Sequence, residues 1–155
     1  MRTLHALALF MAGLPAGGPP QEAGAGDRAR LIGTWYVVTL ESDGKRFTRE
    51  QIKDLRFVFT AERIVRRRGR TIESEAAYRL NPAKAPKWLD MLDPEGKHLA
   101  TVPVIYSLEG VRLKLCFRAD YKKLVEAQKP VPRPKGFDGG EGSGQVLLVL
   151  ERVKR

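Results

Sequence analysis

The chain has 155 residues, 43% hydrophobic and 30% charged, and its 28 Lys and Arg against 18 Asp and Glu give a net charge of +10. This size allows one domain with one core, and the single cysteine, Cys116, excludes an internal disulfide and a metal site built from several cysteines. Two histidines, His5 and His98, are too few for a histidine-rich metal site. The excess positive charge favours an anionic partner, or serves only to keep a small domain soluble.

The N-terminal stretch, "MRTLHALALFMAGLPAGGPPQEAGAGD", resembles a secretory signal, because Arg2 precedes an apolar run over residues 6–14 and small residues follow. The run is too short to span a bilayer, which needs about 20 apolar residues. We therefore expect residues 1–25 to be a signal peptide or a disordered tail, with a domain over residues 26–155. Candidate cleavage positions follow Ala16 and Ala25. A signal peptide would make the protein secreted or periplasmic.

From Leu31 onward, short apolar and polar runs alternate with turn residues, which is typical of an all-β sandwich or barrel. The pattern predicts eight strands. The first is "LIGTWYVVTLE", rich in β-branched and aromatic residues and closed by Asp43-Gly44. Thr48 and Gln51 have the spacing of a capping box, which predicts one short helix between the first strand and the second.

The middle strands are "LRFVFT", which alternates with Leu55, Phe57 and Phe59 on one face, and then "RIVRRR" and "TIESEAAYRL". The last two flank Gly69-Arg70, where Gly in the first central position fits a two-residue type II′ hairpin. That register places Arg66 opposite Glu73.

Four further runs complete the set: "PKWLDML", "HLATVPVIYSL", "VRLKLCFR" and "QVLLVLERV". The segment over residues 119–144, before the last strand, is too long for a hairpin, and its first part is expected to form a helical turn or two before Pro130. The last strand is apolar on both faces from Val146 to Leu150. The long loop is the nearest segment that could shield its outer face or cover one end of a barrel.

Gly33-x-Trp35 on the first strand and Arg152 on the last resemble the paired markers of lipocalin-like barrels. In that fold the Trp closes the base of the barrel and the Arg lies over the indole, so the resemblance implies these roles for Gly33, Trp35 and Arg152. A guanidinium stacked on Trp gains a cation–π contact of about 0.5 to 2 kcal/mol.

The stretches "LIGTWYVV", "YRLNPAKAPKWLDM", "IYSLEGVRLKLC", "RPKGF" and "VLLVLER" resemble an uncharacterised group, the planctomycetal lipocalin-like domain family. They run from Leu31 to Arg152. The resemblance implies an all-β, eight-stranded antiparallel lipocalin-like barrel with one short helix after the first strand. Because the family has no established activity, it implies no function.

Catalytic and metal-binding patterns are missing from the sequence. No His-Ser or Cys-His constellation is visible, and Ser143 lies in "EGSGQ", which lacks the nucleophile-elbow pattern. Asp90, Asp93 and Glu95 lack the alternating acidic spacing of a calcium loop, so a solvated turn is the better interpretation. We expect no enzymatic activity, no metal and no cofactor.

The strongest charge feature is a basic hairpin with five arginines within eight residues: Arg63, Arg66, Arg67, Arg68 and Arg70. Such a β-ribbon could lie along nucleic acid or another anionic polymer. The alternative is an exposed hairpin with one ion pair, worth about 0.2 to 1 kcal/mol. Nucleic acid is disfavoured because no aromatic residue is interleaved for stacking and because a signal peptide would export the protein. An anionic envelope polymer or protein is the better partner.

Cys116 alternates with Lys114 and Arg118, which places it on the outside of the barrel. Two interpretations follow: a thiolate made reactive by nearby cations, or a cysteine shielded by the long loop.

Two functions compete for the barrel. One is a non-catalytic binding module that holds a small hydrophobic ligand, and the other is an interaction domain whose barrel is filled by its own side chains. The residues that we expect to face inward, and to bind a ligand in the first case, are Trp35, Phe57, Phe59, Tyr78, Tyr106, Leu113, Leu115 and Leu148. The first function is the primary prediction, and surface binding through the basic hairpin is the alternative.

Overall fold

The structure, a computed structural model, describes residues 24–92 and 101–152. Within these ranges the elements in chain order are α1 (Ala25–Leu31), β1 (Gly33–Ser42), β2 (Lys45–Arg46), α2 (Arg49–Ile52), β3 (Leu55–Phe59), β4 (Arg63–Arg68), β5 (Thr71–Asn81), β6 (Lys87–Leu92), β7 (Thr101–Glu109), β8 (Arg112–Arg118), α3 (Tyr121–Glu126) and β9 (Gln145–Arg152). None of the described helices is long and apolar enough to cross a membrane.

The strands form one antiparallel sheet in the order β2-β1-β3-β4-β5-β6-β7-β8-β9, and β9 pairs back onto β1. This last pairing closes a barrel of eight strands, with β2 as a short extra strand at the end of β1. Closure removes the open sheet edges that would otherwise attract other chains. The predicted all-β fold and eight-stranded antiparallel barrel are confirmed.

The short helix α2 follows the first strands as predicted, and its capping box is present. The Thr48 side chain accepts from the Gln51 backbone N–H, and the Gln51 side chain accepts from the Thr48 N–H. Reciprocal capping satisfies two helix-end donors, which helps so short a helix to form at this point. Ile52 is buried and anchors the helix to the barrel.

Alternation of buried and less buried residues along the strands builds the core. In β3, Leu55, Phe57 and Phe59 are buried while the residues between them are half-buried. All the residues that we expected to face inward are buried in one cluster: Trp35, Phe57, Phe59, Tyr78, Tyr106, Leu113, Leu115 and Leu148. The barrel interior is therefore occupied by large side chains.

The β4–β5 hairpin has the predicted two-residue turn, and Gly69, with φ 57°, is the turn residue with a positive φ, as a type II′ turn requires. The predicted pairing of Arg66 with Glu73 is wrong, because a β-bulge shifts the register and Arg66 pairs with Ser74. The extra residue, Glu73, still reaches the arginine: its Oε2 lies 3.0 Å from Arg66 Nε. A bulge of this kind re-aims a side chain without breaking the hairpin.

Helix α1 was not predicted, and it begins at Ala25, where the sequence placed the end of the signal or tail. It covers one end of the barrel, which we call the base, and its last residue, Leu31, is fully buried. The opposite end is called the mouth. Several predictions fall outside the described residues: the segment before residue 24, the turn over residues 93–96 and His98.

Candidate functional site

The base of the barrel is closed by Trp35, which is fully buried and whose indole Nε1 donates to the carbonyl of Leu31 at 2.8 Å. The guanidinium of Arg152 lies 4.6 Å from the centre of the Trp35 ring and donates to the Arg30 carbonyl. Gly33, with φ +132°, brings the backbone beneath this guanidinium in a conformation that other residues rarely adopt. The Gly-x-Trp pair and the distant Arg therefore act as one structural unit.

A polar cluster ties helix α1 to the base. The Asp27 carboxylate accepts a hydrogen bond from the Tyr106 hydroxyl at 2.7 Å and from Lys87 Nζ at 2.9 Å, and Arg30 lies 3.6 Å away. Burial raises the pKa of Asp27, but the hydrogen bonds from Tyr106 and Lys87 and the nearby positive charges outweigh it, so the pKa is lowered. These groups lie 60 and 79 residues from Asp27. No local sequence signal could have linked them.

The cavity at the mouth is small. Its volume is about 40 Å³, compared with about 150 Å³ for an engineered cavity that binds benzene. Its lining residues are Phe57, Ile64, Arg66, Ser74, Ala76, Leu89, Met91, Val104, Leu115, Phe117 and Tyr121. Of the predicted ligand-binding residues, Phe57 and Leu115 line this space, and the other six pack in the core.

The roof of the cavity comes from the start of α3. The Tyr121 ring meets the Phe117 ring edge-to-face at 5.9 Å between centroids. Among the described residues that line it, most are apolar and Arg66 is the one cation. The described side chains at the mouth thus leave less space than a benzene ring needs, with an arginine beside it.

The five arginines of the basic hairpin do not form one surface. Strand alternation turns Arg66 and Arg68 inward at the mouth, where they share Glu73 at 3.0 and 2.7 Å. Arg68 also donates to the carbonyl of Gln51 in α2 at 2.9 Å. On the outside, Arg63 lies 3.8 Å from a Glu75 carboxylate oxygen.

Arg67 faces outward and stands directly opposite Arg56 of β3. Tyr36 is paired with Arg56 on one side, and Ile72 with Arg67 on the other. These four residues cross the outer face of the barrel from β1 to β5, and we call them the outer row. The remaining hairpin arginine, Arg70, is exposed in the turn.

The long loop covers the outer face of β8 and β9 as a strap, defined here as residues 128–144. Gly139 packs so closely that a Cβ at this position would lie 2.9 Å from the Leu147 Cβ. Cys116 lies beneath the strap, fully buried, with its Sγ 3.6 Å from the Gly136 carbonyl. Burial raises the pKa of the Cys116 thiol, which disfavours the thiolate form.

The strap is anchored by Arg133. Its guanidinium stacks 4.1 Å from the centre of the Trp88 ring and donates to Asp90 at 2.6 Å and to the Val104 carbonyl at 3.0 Å. A surface groove of about 450 Å³ beside the strap is lined by Arg118, Pro132, Arg133, Lys135, Gly136, Asp138, Ser143 and Gln145. Both of its arginines are already engaged, Arg118 by Asp120 and Arg133 by Asp90.

Within residues 24–92 and 101–152, no group of three or more His, Cys, Asp or Glu side chains is placed to hold a metal ion. Asp90 is bound by Arg133 and Arg79, while Asp93 and Glu95 lie outside the described residues. Ser143 accepts a hydrogen bond from the backbone N–H of Gln145 at 3.2 Å, as a turn serine does.

Comparison of the chain with protein-family models, with curated proteins and with solved structures gives no match.

Proposed function

We propose that this domain is a non-catalytic binding module that acts through the outer surface of a filled barrel. The observation that carries the proposal is the volume of the mouth cavity, about 40 Å³. A ligand of even benzene size needs several times that space. Three bulky interior residues, Trp35, Phe59 and Tyr106, are each at most 1% exposed. The interior contributes stability, and binding is left to the surface.

The partner that we propose is an anionic polymer or protein of the cell envelope. The net charge of +10 supplies a long-range attraction for anions. The N-terminal sequence supports export, and the resemblance to lipocalin-like domains is compatible with a secreted or periplasmic barrel. Export would take the protein away from the nucleic acid inside the cell, so an envelope component is the better partner.

A calyx for a small hydrophobic ligand is the second candidate, favoured by the apolar lining of the mouth. Arg66 beside Phe57 and Leu115 would suit an amphiphile with an anionic head. Such a ligand needs the roof formed by Phe117 and Tyr121 to move aside, because the present volume does not admit an acyl chain.

Binding of heparin, used as a model polyanion, tests the proposal. We expect the purified chain to bind heparin at low salt, with an affinity that falls steeply as salt rises, because each neutralised anionic group releases counterions. Uncharged dextran is the control and should not bind. Absence of heparin binding at low ionic strength would contradict surface recognition of an anionic polymer.

A further inference from the structure

The hairpin arginines differ in whether the protein itself neutralises them. Arg63, Arg66 and Arg68 each lie within 4.0 Å of a glutamate oxygen. Arg67 and its cross-strand neighbour Arg56 have no carboxylate partner among the residues that the structure describes. Among the described ion pairs of the hairpin, the arginines without a carboxylate are therefore Arg67, in the outer row, and Arg70, in the turn, and not the inward-facing ones.

The pairing of Arg56 with Arg67 is unfavourable in the free protein. Directly opposite residues of an antiparallel pair have Cβ atoms about 4.5 to 5.5 Å apart, and like charges at this distance repel. Arg56 offsets part of the cost by donating to the Gly69 carbonyl at 2.8 Å. An anion placed between the two guanidinium groups would relieve the repulsion and supply acceptors for both.

We propose that the outer row is the contact site for an acidic polysaccharide, an inference that rests on the proposed function. Arg56 and Arg67 together bind one sulfate or carboxylate group of the polymer. Tyr36, next to Arg56 in the row, provides an aromatic face for the attached sugar ring. Ile72, which is 53% exposed, extends the row with apolar surface on the far side of Arg67.

A polysaccharide fits this surface better than a nucleic acid does. Proteins that bind single strands stack successive bases on several aromatic side chains. The outer row has one aromatic residue, and its neighbours on the outer face of β3 and β4 are Val58 and Val65, which pair with each other. The paired guanidinium groups of the outer row suit an anionic group carried on a sugar ring, which needs one aromatic face beside it and not several.

The test is heparin binding by the full chain and by two double variants that lose the same charge. Arg56→Gln/Arg67→Gln removes the outer-row cations. Arg79→Gln/Arg112→Gln is the matched control, because both arginines are exposed and each already pairs with an acidic residue, Asp90 and Glu151. We expect about a tenfold or greater loss of affinity for the first variant and a loss of less than about threefold for the control. The salt dependence should also become shallower for the first variant by roughly one anion contact, since the two arginines share one anionic group.

A second variant, Arg56→Lys/Arg67→Lys, keeps the charge but loses the planar guanidinium, and we expect an intermediate affinity. Thermal unfolding of each variant checks that the barrel is intact. If the outer-row variant and the matched control lose heparin affinity equally, the outer-row site is overturned, while surface recognition of polyanions still stands. No binding by the unaltered chain would overturn both. Equal or tighter binding of a single-stranded oligonucleotide of the same charge would contradict the polysaccharide partner.

Discussion

At the scale of single residues, the base of the barrel depends on the stacking of Arg152 on Trp35. Substituting Arg152→Ala removes this contact and the hydrogen bond to the Arg30 carbonyl. We expect the free energy of unfolding to fall by about 1 to 3 kcal/mol, the sum of a cation–π contact and one hydrogen bond. Urea unfolding at neutral pH measures the loss.

Arg112→Ala is the matched control, since Arg112 is exposed and forms a surface ion pair with Glu151 at 2.9 Å. Surface pairs of this kind contribute about 0 to 1 kcal/mol. If Arg112→Ala destabilises the protein as much as Arg152→Ala does, the stacking on Trp35 has no special role.

Asp27 gives the base a pH dependence. The folded-state pKa of Asp27 lies below the ordinary value of 3.8. The charged Asp27 carboxylate therefore stabilises the fold fully above the unfolded-state pKa, and this stabilisation is lost as the pH falls through the folded-state pKa. Asp27→Asn keeps the shape but removes the charge. We expect this variant to be about 1 to 3 kcal/mol less stable than the unaltered chain at neutral pH. The difference should shrink below about pH 4.

Unfolding of both proteins across the acid range measures this difference. Lys53 and Glu50, 2.7 Å apart on the exposed side of α2, offer a control pair, and Glu50→Gln should change stability little at any pH. If the difference in the free energy of unfolding between Asp27→Asn and the unaltered chain is the same at neutral and acid pH, the carboxylate charge does not hold α1 in place.

At the scale of elements, the strap packs closely against the barrel at Gly139. Gly139→Ala would place a Cβ 2.9 Å from the Glu41 carbonyl and 2.9 Å from the Leu147 Cβ, so the strap must shift. Because Cys116 lies under it, we expect the thiol to react faster with an aromatic disulfide reagent. A shift costing about 1 to 3 kcal/mol corresponds to an increase of roughly 5- to 150-fold in the exposed population.

Gly136→Ala is the control for the strap, because a Cβ there meets nothing within 4 Å. Its labelling rate should stay within about twofold of that of the unaltered chain. Fast labelling of Cys116 in the unaltered protein would mean that the strap does not protect the outer face of β8.

The strands were predictable because their period-two alternation and their turn residues are local signals. The Gly69 turn and the Thr48 capping box were predictable for the same reason, because each depends on residues close together in the sequence. The bulge at Glu73 was not predictable, because cross-strand register depends on contacts with a second strand. Helix α1 was missed because its stability comes from Tyr106 and Lys87, far along the chain.

The candidate site, like the fold, could be predicted only where local sequence signals determine it. Alternation along β4 already separates Arg66 from Arg67, but the sequence interpretation treated all five hairpin arginines as one surface. The neighbour of Arg67 on the next strand, Arg56, could not be identified without the β3–β4 register. The volume at the mouth depends on how side chains from separate strands interlock, which no single stretch of sequence reports.

At the scale of the whole molecule, a filled barrel should lose stability and gain space when an interior residue is shortened. Leu115 lines the mouth cavity and is 4% exposed. Leu115→Ala should cost about 2 to 5 kcal/mol and enlarge the cavity. We expect this variant, unlike the unaltered chain, to bind a small apolar probe such as benzene, as measured by stabilisation against heat.

Val149→Ala, on the outer face of β9 opposite Lys114, is the control and should create no binding space. Stabilisation of the unaltered chain by benzene would indicate that the mouth already holds a usable pocket.

The central claim is that the interior is filled and that recognition takes place outside, and native mass spectrometry with amphiphiles of graded chain length tests it most directly. The unaltered full chain is mixed with fatty acids from short to long, and retained adducts are counted. We predict the mass of the free chain alone at every chain length, because the cavity of about 40 Å³ does not admit an acyl chain. A one-to-one complex with a fatty acid that survives transfer to the gas phase would contradict the claim and establish the barrel as a calyx.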